Sequence, residues 1–232
     1  MLFNLLQAAE NAAAVPAEAI SQEMNFSLIE MATKGGWLML VLLLLSIMAI
    51  YIFGNKWWLI RRAGKIDKNF MKDIRDLIHE GKIKSALALC QKYDSPVARL
   101  VEKGIERIGR PLPDIQAAVE NMGNVEVARL EKGLPMLATI AGGAPMIGFL
   151  GTVSGMIQAF FRMSTAGNNI DITLLSGGIY EAMVTTVGGL FVGIIAYFGY
   201  NYLTSQISNL VFKMENATIA FIDMLHEPAE EN

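Results

Sequence analysis

Two long stretches almost free of charge restrict this chain more than any other feature. Leu134 to Phe161 is a run of 28 residues without a charge. In the run that follows it, Glu181 is the only Asp, Glu, Lys, Arg or His between Asp171 and Lys213. At about 1.5 Å per residue, a helix of the first length more than crosses a hydrocarbon core of about 30 Å, so both runs read as membrane spans. A carboxylate at membrane depth costs roughly 2.5–3.5 kcal/mol on insertion scales. Such a group faces a protein interior or a wet cavity and marks an ion or substrate path, which makes Glu181 a functional candidate from the outset.

A third span precedes these two. Gly35 to Asn55 is 21 uncharged residues between Lys34 and Lys56, with Trp37 at one end and Trp57 and Trp58 at the other, the aromatic anchors of a membrane helix. Only 18% of the 232 residues are charged and 53% are hydrophobic, where a soluble domain carries about 25% charge. The expected fold is all-α: three transmembrane helices, the second and third extending into a cytoplasmic helical bundle. The segments are 1–34, external and amphipathic; 35–55, first span; 56–133, cytoplasmic; 134–161, second span; 162–175, a short external loop; 176–205, third span; and 206–232, a cytoplasmic helix and tail.

Orientation follows from the cations. Of 19 Lys and Arg residues, 16 lie from Lys56 to Lys132 and one is Lys213, leaving Lys34 and Arg162 for the other side. The positive-inside bias puts the amino terminus outside and the carboxyl terminus in the cytoplasm. Met1 to Ala19 lacks a basic n-region and is broken by Gln7, Glu10 and Asn11, so it reads as retained and not as a cleaved leader, either a short amphipathic surface helix or a frayed tail.

Within 56–133, apolar residues recur at helical spacing: Phe70, Ile74, Leu77 and Ile78, then Ala86, Leu87, Leu89 and Cys90. Asp94-Ser95-Pro96 punctuates the pattern, and Val97, Leu100, Val101, Ile105 and Ile108 continue it. After Arg110-Pro111-Leu112-Pro113, Asp114 is placed to cap a last helix with a stripe of Ile115, Val119, Met122, Val125 and Leu130. The alternating charges from Lys82 to Arg107 read as a wetted face.

Several functions find no support. A net charge of −3, with bases and acids interleaved, gives no nucleic-acid footprint. His79 and His226 have no second ligand at helical spacing, so no metal site is expected, and Cys90 reads as a small buried apolar residue. No phosphate cradle or catalytic triad stands out, so the chain is not expected to be an enzyme or to carry a cofactor.

The chemistry lies in the second and third spans. Gly148, Thr152, Gly155 and Ala159 strip one helix face of bulk, Gly151 and Gly155 form a GxxxG pair, and Pro145 introduces a helix break. In the third span, Gly177 or Gly178, then Glu181, Thr185, Gly188 and Val192 make a second small and polar stripe, bordered by Thr186, and Gly189 and Gly193 make another GxxxG. Thr152 on one face, with Glu181 and Thr185 or Thr186 on the other, are placed to line a narrow proton conduit. The plainer alternative is that the glycines are ordinary packing and Glu181 is interhelical glue.

Ala144-Pro145, then Gly148-Phe149-Leu150-Gly151-Thr152-Val153, together with the run from Gly178 through Glu181, Thr185 and Thr186 to Leu190, resembles the MotA/TolQ/ExbB proton-channel family. The closest branch is ExbB, with TolQ next; Phe149 stands where leucine or another apolar residue is usual. The resemblance implies a bacterial inner-membrane subunit, a homopentamer whose pore surrounds a dimeric single-span ExbD- or TolR-like partner. That partner's aspartate carries protons, the coupling ion. It also implies that Glu181 corresponds to the family's pore glutamate and Thr152 and Thr186 to its pore threonines. The function then expected is a motor turning proton motive force into mechanical work on a TonB-like protein for outer-membrane transport. A TolQ-like envelope motor, a motility stator and a passive membrane scaffold are the alternatives.

Overall fold

The computed structural model describes residues 36–64, 69–165 and 172–226. The amphipathic amino-terminal segment, the polar turn before the third span and the extreme carboxyl tail lie outside the described residues, and of 172–175 only the backbone is described. Among the described residues the chain forms seven helices and no strand: α1 Gly36–Ala63, α2 Phe70–His79, α3 Ile83–Lys92, α4 Pro96–Ile105, α5 Leu112–Glu131, α6 Leu134–Thr165 and α7 Ile172–His226. Three of these, α1, α6 and α7, hold stretches long and apolar enough to cross a membrane.

α7 is the spine. Its 55 residues run unbroken for about 80 Å, more than twice a hydrocarbon core, so the third span and the segment after it are one rod. α6 packs along its first half, α1 lies against both, and α2, α4 and α5 gather on its second half. A single core joins the two regions, from Leu42 and Ala144 through Leu203 and Leu210 to Phe221. Phe221 is fully buried against Gly104 of α4, where a Cβ would come within 2.8 Å of the ring Cζ. Only a glycine lets α4 approach the rod at that point.

Local sequence explains the helix ends. Ser95 caps α4, its hydroxyl accepting from the Ala98 amide at 3.2 Å, and Pro96 occupies the first helical position, where its missing N–H costs nothing. Gly133 takes φ +93°, the left-handed region, and separates α5 from α6. The last carbonyls of α5 are met by α1, whose Lys56 ammonium donates to Arg129 at 3.2 Å and Leu130 at 3.1 Å.

Two expectations for α5 need correction. Pro111, not Asp114, is the N-cap residue; with Pro113 in the first turn the helix starts at Leu112 and Asp114 falls inside it. Val125 is exposed at 59%, and the buried position at that level is Glu126 at 2%. The stripe runs through Ile115, Val119, Glu126 and Leu130, and a charge fits there because Arg99 of α4 donates to both carboxylate oxygens at 2.8 and 2.7 Å. Arg99 also donates to Asp94, which pairs with Arg62 of α1 at 3.3 Å, so this ionic cluster ties α1, α4 and α5 together. The hydrogen bonds from Arg99 to Glu126 raise the guanidinium's affinity for its proton, with burial opposing.

Cys90 is 1% exposed, and burial pushes its thiol from the ordinary 9.0 up to about 12. Above pH 9 the unfolded thiol ionises while the folded one holds its proton, so the folded state loses stability as pH rises from 9 toward 12. We expect the native protein to resist iodoacetamide at pH 8 for hours and to react within minutes in denaturant, with alkylation read by mass.

Candidate functional site

The α6–α7 hairpin is built on the absence of side chains. α6 and α7 run antiparallel, and as residue numbers rise on one they fall on the other along a line of close approaches. Gly178 faces Ala159, Gly155 faces Ala182, Gly151 faces Thr185, and Gly148 faces Thr185, Thr186 and Gly189. A Cβ on Gly155 would lie 2.8 Å from that of Ala182, and one on Gly189 would lie 2.9 Å from the Gly148 Cα. Backbone therefore meets backbone, the approach that small-residue motifs permit in a membrane.

Pro145 does not end α6. The helix continues through it to Thr165, and the ring lodges where Gly193 of α7 leaves space, with a Cβ there only 2.6 Å from the proline Cδ. What is interrupted is one rung of backbone hydrogen bonding and not the helix. Gly188 belongs to a different contact, against Met39 and Leu42 of α1.

Thr152 and Thr186 come together in the α6–α7 seam, their hydroxyls hydrogen-bonded to each other. Thr186 donates to the Gly148 carbonyl at 3.1 Å, and Thr152, with one proton to give, donates either to Thr186 or to the Ala182 carbonyl 3.1 Å away. Thr185, buried at 2%, donates to the same Ala182 carbonyl at 2.8 Å. The three hydroxyls thus form one polar file across the seam, converging on two backbone oxygens.

Glu181 is not in that pair. It lies five residues before Thr186, about 140° around α7, on the side turned to α1. Its carboxylate reaches the start of α1, where Gly36 leaves room for it, and more than a third of the residue is exposed. A cavity of about 60 Å³ opens there between α1, α6 and α7, lined by Glu181, Thr185, Ser154, Gln158 and Arg162 with Trp37 at the edge. That space has room for about four waters, and the polar groups around it supply the hydrogen-bond partners that water requires. Thr185 belongs to both the cavity wall and the threonine file, and Gly151 and Gly155 of the seam line the cavity beside it.

Ser154, Gln158 and Arg162 escaped the sequence reading, which followed the small face of α6. The signal was present in their i, i+4, i+8 spacing, which sets three polar groups along one side of a membrane helix.

Loss of a membrane hydrogen bond costs about 0.6 kcal/mol on average and about 1.7 at most. Thr186→Val is therefore expected to leave the fold intact, with a thermal midpoint in detergent a few degrees below the parent. Any larger loss of activity then reports the hydroxyl's part in the path.

A helical hairpin packed on its backbone, a third apolar helix beside it, and one acid set against a small polar cavity define a membrane protein with a polar interior. A model of the MotA/TolQ/ExbB proton channel family matches residues 92–216, just over half of the chain, from the end of α3 through most of α7. An ExbB-like 1 biopolymer transport protein of Synechocystis is 30% identical over 181 residues, 77% of this chain and 71% of that protein. An ExbB homologue of Methanothermobacter thermautotrophicus is 28% identical over 195 residues, 83% of this chain and 69% of its own. The Tol-Pal system protein TolQ of Haemophilus influenzae is 36% identical over 106 residues, 46% of each. The chain belongs to the MotA/TolQ/ExbB proton channel family and is a membrane transport component.

Proposed function

We propose that this chain is the ExbB-like subunit of an inner-membrane motor, a homopentamer enclosing a dimeric single-span partner of the ExbD or TolR kind. Protons move inward between subunit and partner, and the motion they drive is passed to a TonB-like protein that powers outer-membrane transport. The observation that carries the reading is Glu181, an acid beside a small polar cavity on a helix otherwise free of charge until Lys213. Structural glue is a poor account of it, since an amide would serve at lower cost in a membrane.

In this mechanism Glu181 is the polar site from which a proton passes to the partner's carboxylate. Thr185, Thr152 and Thr186 orient water or donate along the way. One charge crossing about 100 mV releases about 2.3 kcal/mol, so a mechanical step draws on several protons. The outward side chains of α6 and α7, among them Phe149, Ile157, Leu190 and Phe191, are exposed in the single chain, and an oligomer or lipid covers them. The asymmetry of Lys and Arg supports an external amino terminus.

The 36% identity to TolQ over 106 residues favours a second reading, an envelope-integrity motor. Deleting the gene separates the two: a strain starved of siderophore-bound iron supports the ExbB role, and one that is detergent-sensitive with normal iron uptake supports the TolQ role.

A further inference from the structure

The proposed function needs a way for protons to reach Glu181 from the outer side, and the cavity beside it indicates one. We propose that the outer approach is a short water file inside each subunit, along Ser154, Gln158 and Arg162 of α6, ending at Glu181. This rests on the reading of Glu181 as the proton site and adds a route that passes between α1, α6 and α7 of one chain.

The geometry carries the argument. The three α6 residues are spaced by four, so they rise along one side of the helix for about 12 Å, from the level of Glu181 to the last turn. All three line the same cavity as Glu181. Gln158 and Arg162 are exposed at its outer end and Ser154 is half-buried at its inner end, the gradient expected of a mouth and a floor. At the floor, Gly151 and Gly155 pack on Thr185 and Ala182, so α6 and α7 close on each other and water stops at Glu181 and Thr185. The bulky apolar side chains of α6's outer half are turned elsewhere: Val153, Ile157, Phe160 and Phe161 are all exposed. The Ser154 hydroxyl donates to the Gly151 carbonyl at 3.1 Å and keeps its lone pairs for water, the Gln158 amide and Arg162 guanidinium on the same side call for further polar partners, and 60 Å³ is enough for a file of water.

Cysteine accessibility tests this directly, because the native Cys90 is buried with its thiol held protonated and gives a silent background. Ser154→Cys, Gln158→Cys and Phe149→Cys are made in the full chain, assembled with its partner in sealed vesicles of each orientation. Each is treated with a membrane-impermeant methanethiosulfonate. The file predicts that the first two react only from the side bearing Arg162 and lose proton flux at least tenfold on modification, while Phe149→Cys stays unmodified. Positions 154 and 158 inert from both sides, or modified without change in flux, would overturn it. Should Ser154→Cys fail to assemble, Gln158→Leu gives the second reading: flux cut tenfold in an intact complex supports the file, and unchanged flux refutes it. Glu181→Gln, run in parallel, keeps the two claims apart. Flux that ignores that change removes the proton-site reading, whereas inert cysteines with Glu181-dependent flux remove only the file.

Discussion

Leucine at Gly189 is expected to prevent accumulation of the folded protein in the membrane. A Cβ at that position would stand 2.9 Å from the Gly148 Cα and 3.1 Å from its nitrogen. Both are backbone atoms of α6 that no rotamer change can move aside. Overpacking of a close-packed interior costs about 1–3 kcal/mol where side chains can yield, and a backbone contact puts this site at or beyond the upper end. Gly143 provides the control, since nothing lies within 4 Å of a Cβ added there. Gly143→Ala should be neutral or stabilising by up to about 1 kcal/mol, as expected when a helical glycine gains a methyl group. Membrane yield and thermal unfolding in detergent distinguish the pair; equal behaviour would mean that α6 and α7 do not meet through their glycines.

The second large effect is functional. Glu181→Ala should abolish proton-driven work in the cell while the complex still assembles and the thermal midpoint moves little. The side chain is more than a third exposed, and substitutions at such positions usually stay within about 0.5 kcal/mol. Glu181→Gln should be equally inactive, because the amide keeps the shape and hydrogen bonding of the acid but cannot take up and release a proton. Loss of assembly in both variants would instead make Glu181 a structural tie between α7 and the start of α1.

The membrane helices were legible because the bilayer imposes one rule, about 20 consecutive apolar residues, that the sequence displays openly. The close hairpin was legible for a similar reason: Gly148, Gly151, Gly155, Gly189 and Gly193 fall at spacings that bare one helix face. The stripe of α5 was not. An apolar-only pattern selects Val125 and skips Glu126, because the partner that makes burial of that acid tolerable, Arg99, comes from another helix. Glu181 shows the same limit. Spacing placed it in one stripe with Thr185 and Gly188, but a face of α7 is divided among neighbours. Gly188 goes to α1, Thr185 is buried under Gly151, and Glu181 lies at the junction of α1 and α6. Which helix covers which part of a stripe depends on where α1 docks, and no periodicity within α7 encodes that.

Proton flux into liposomes is the most direct measurement of the central claim. With the subunit and its single-span partner reconstituted together under an imposed pH gradient, acidification of the lumen should be rapid. It should vanish in Glu181→Gln and in liposomes lacking the partner. Flux in the Glu181→Gln complex equal to that of the parent would contradict the account.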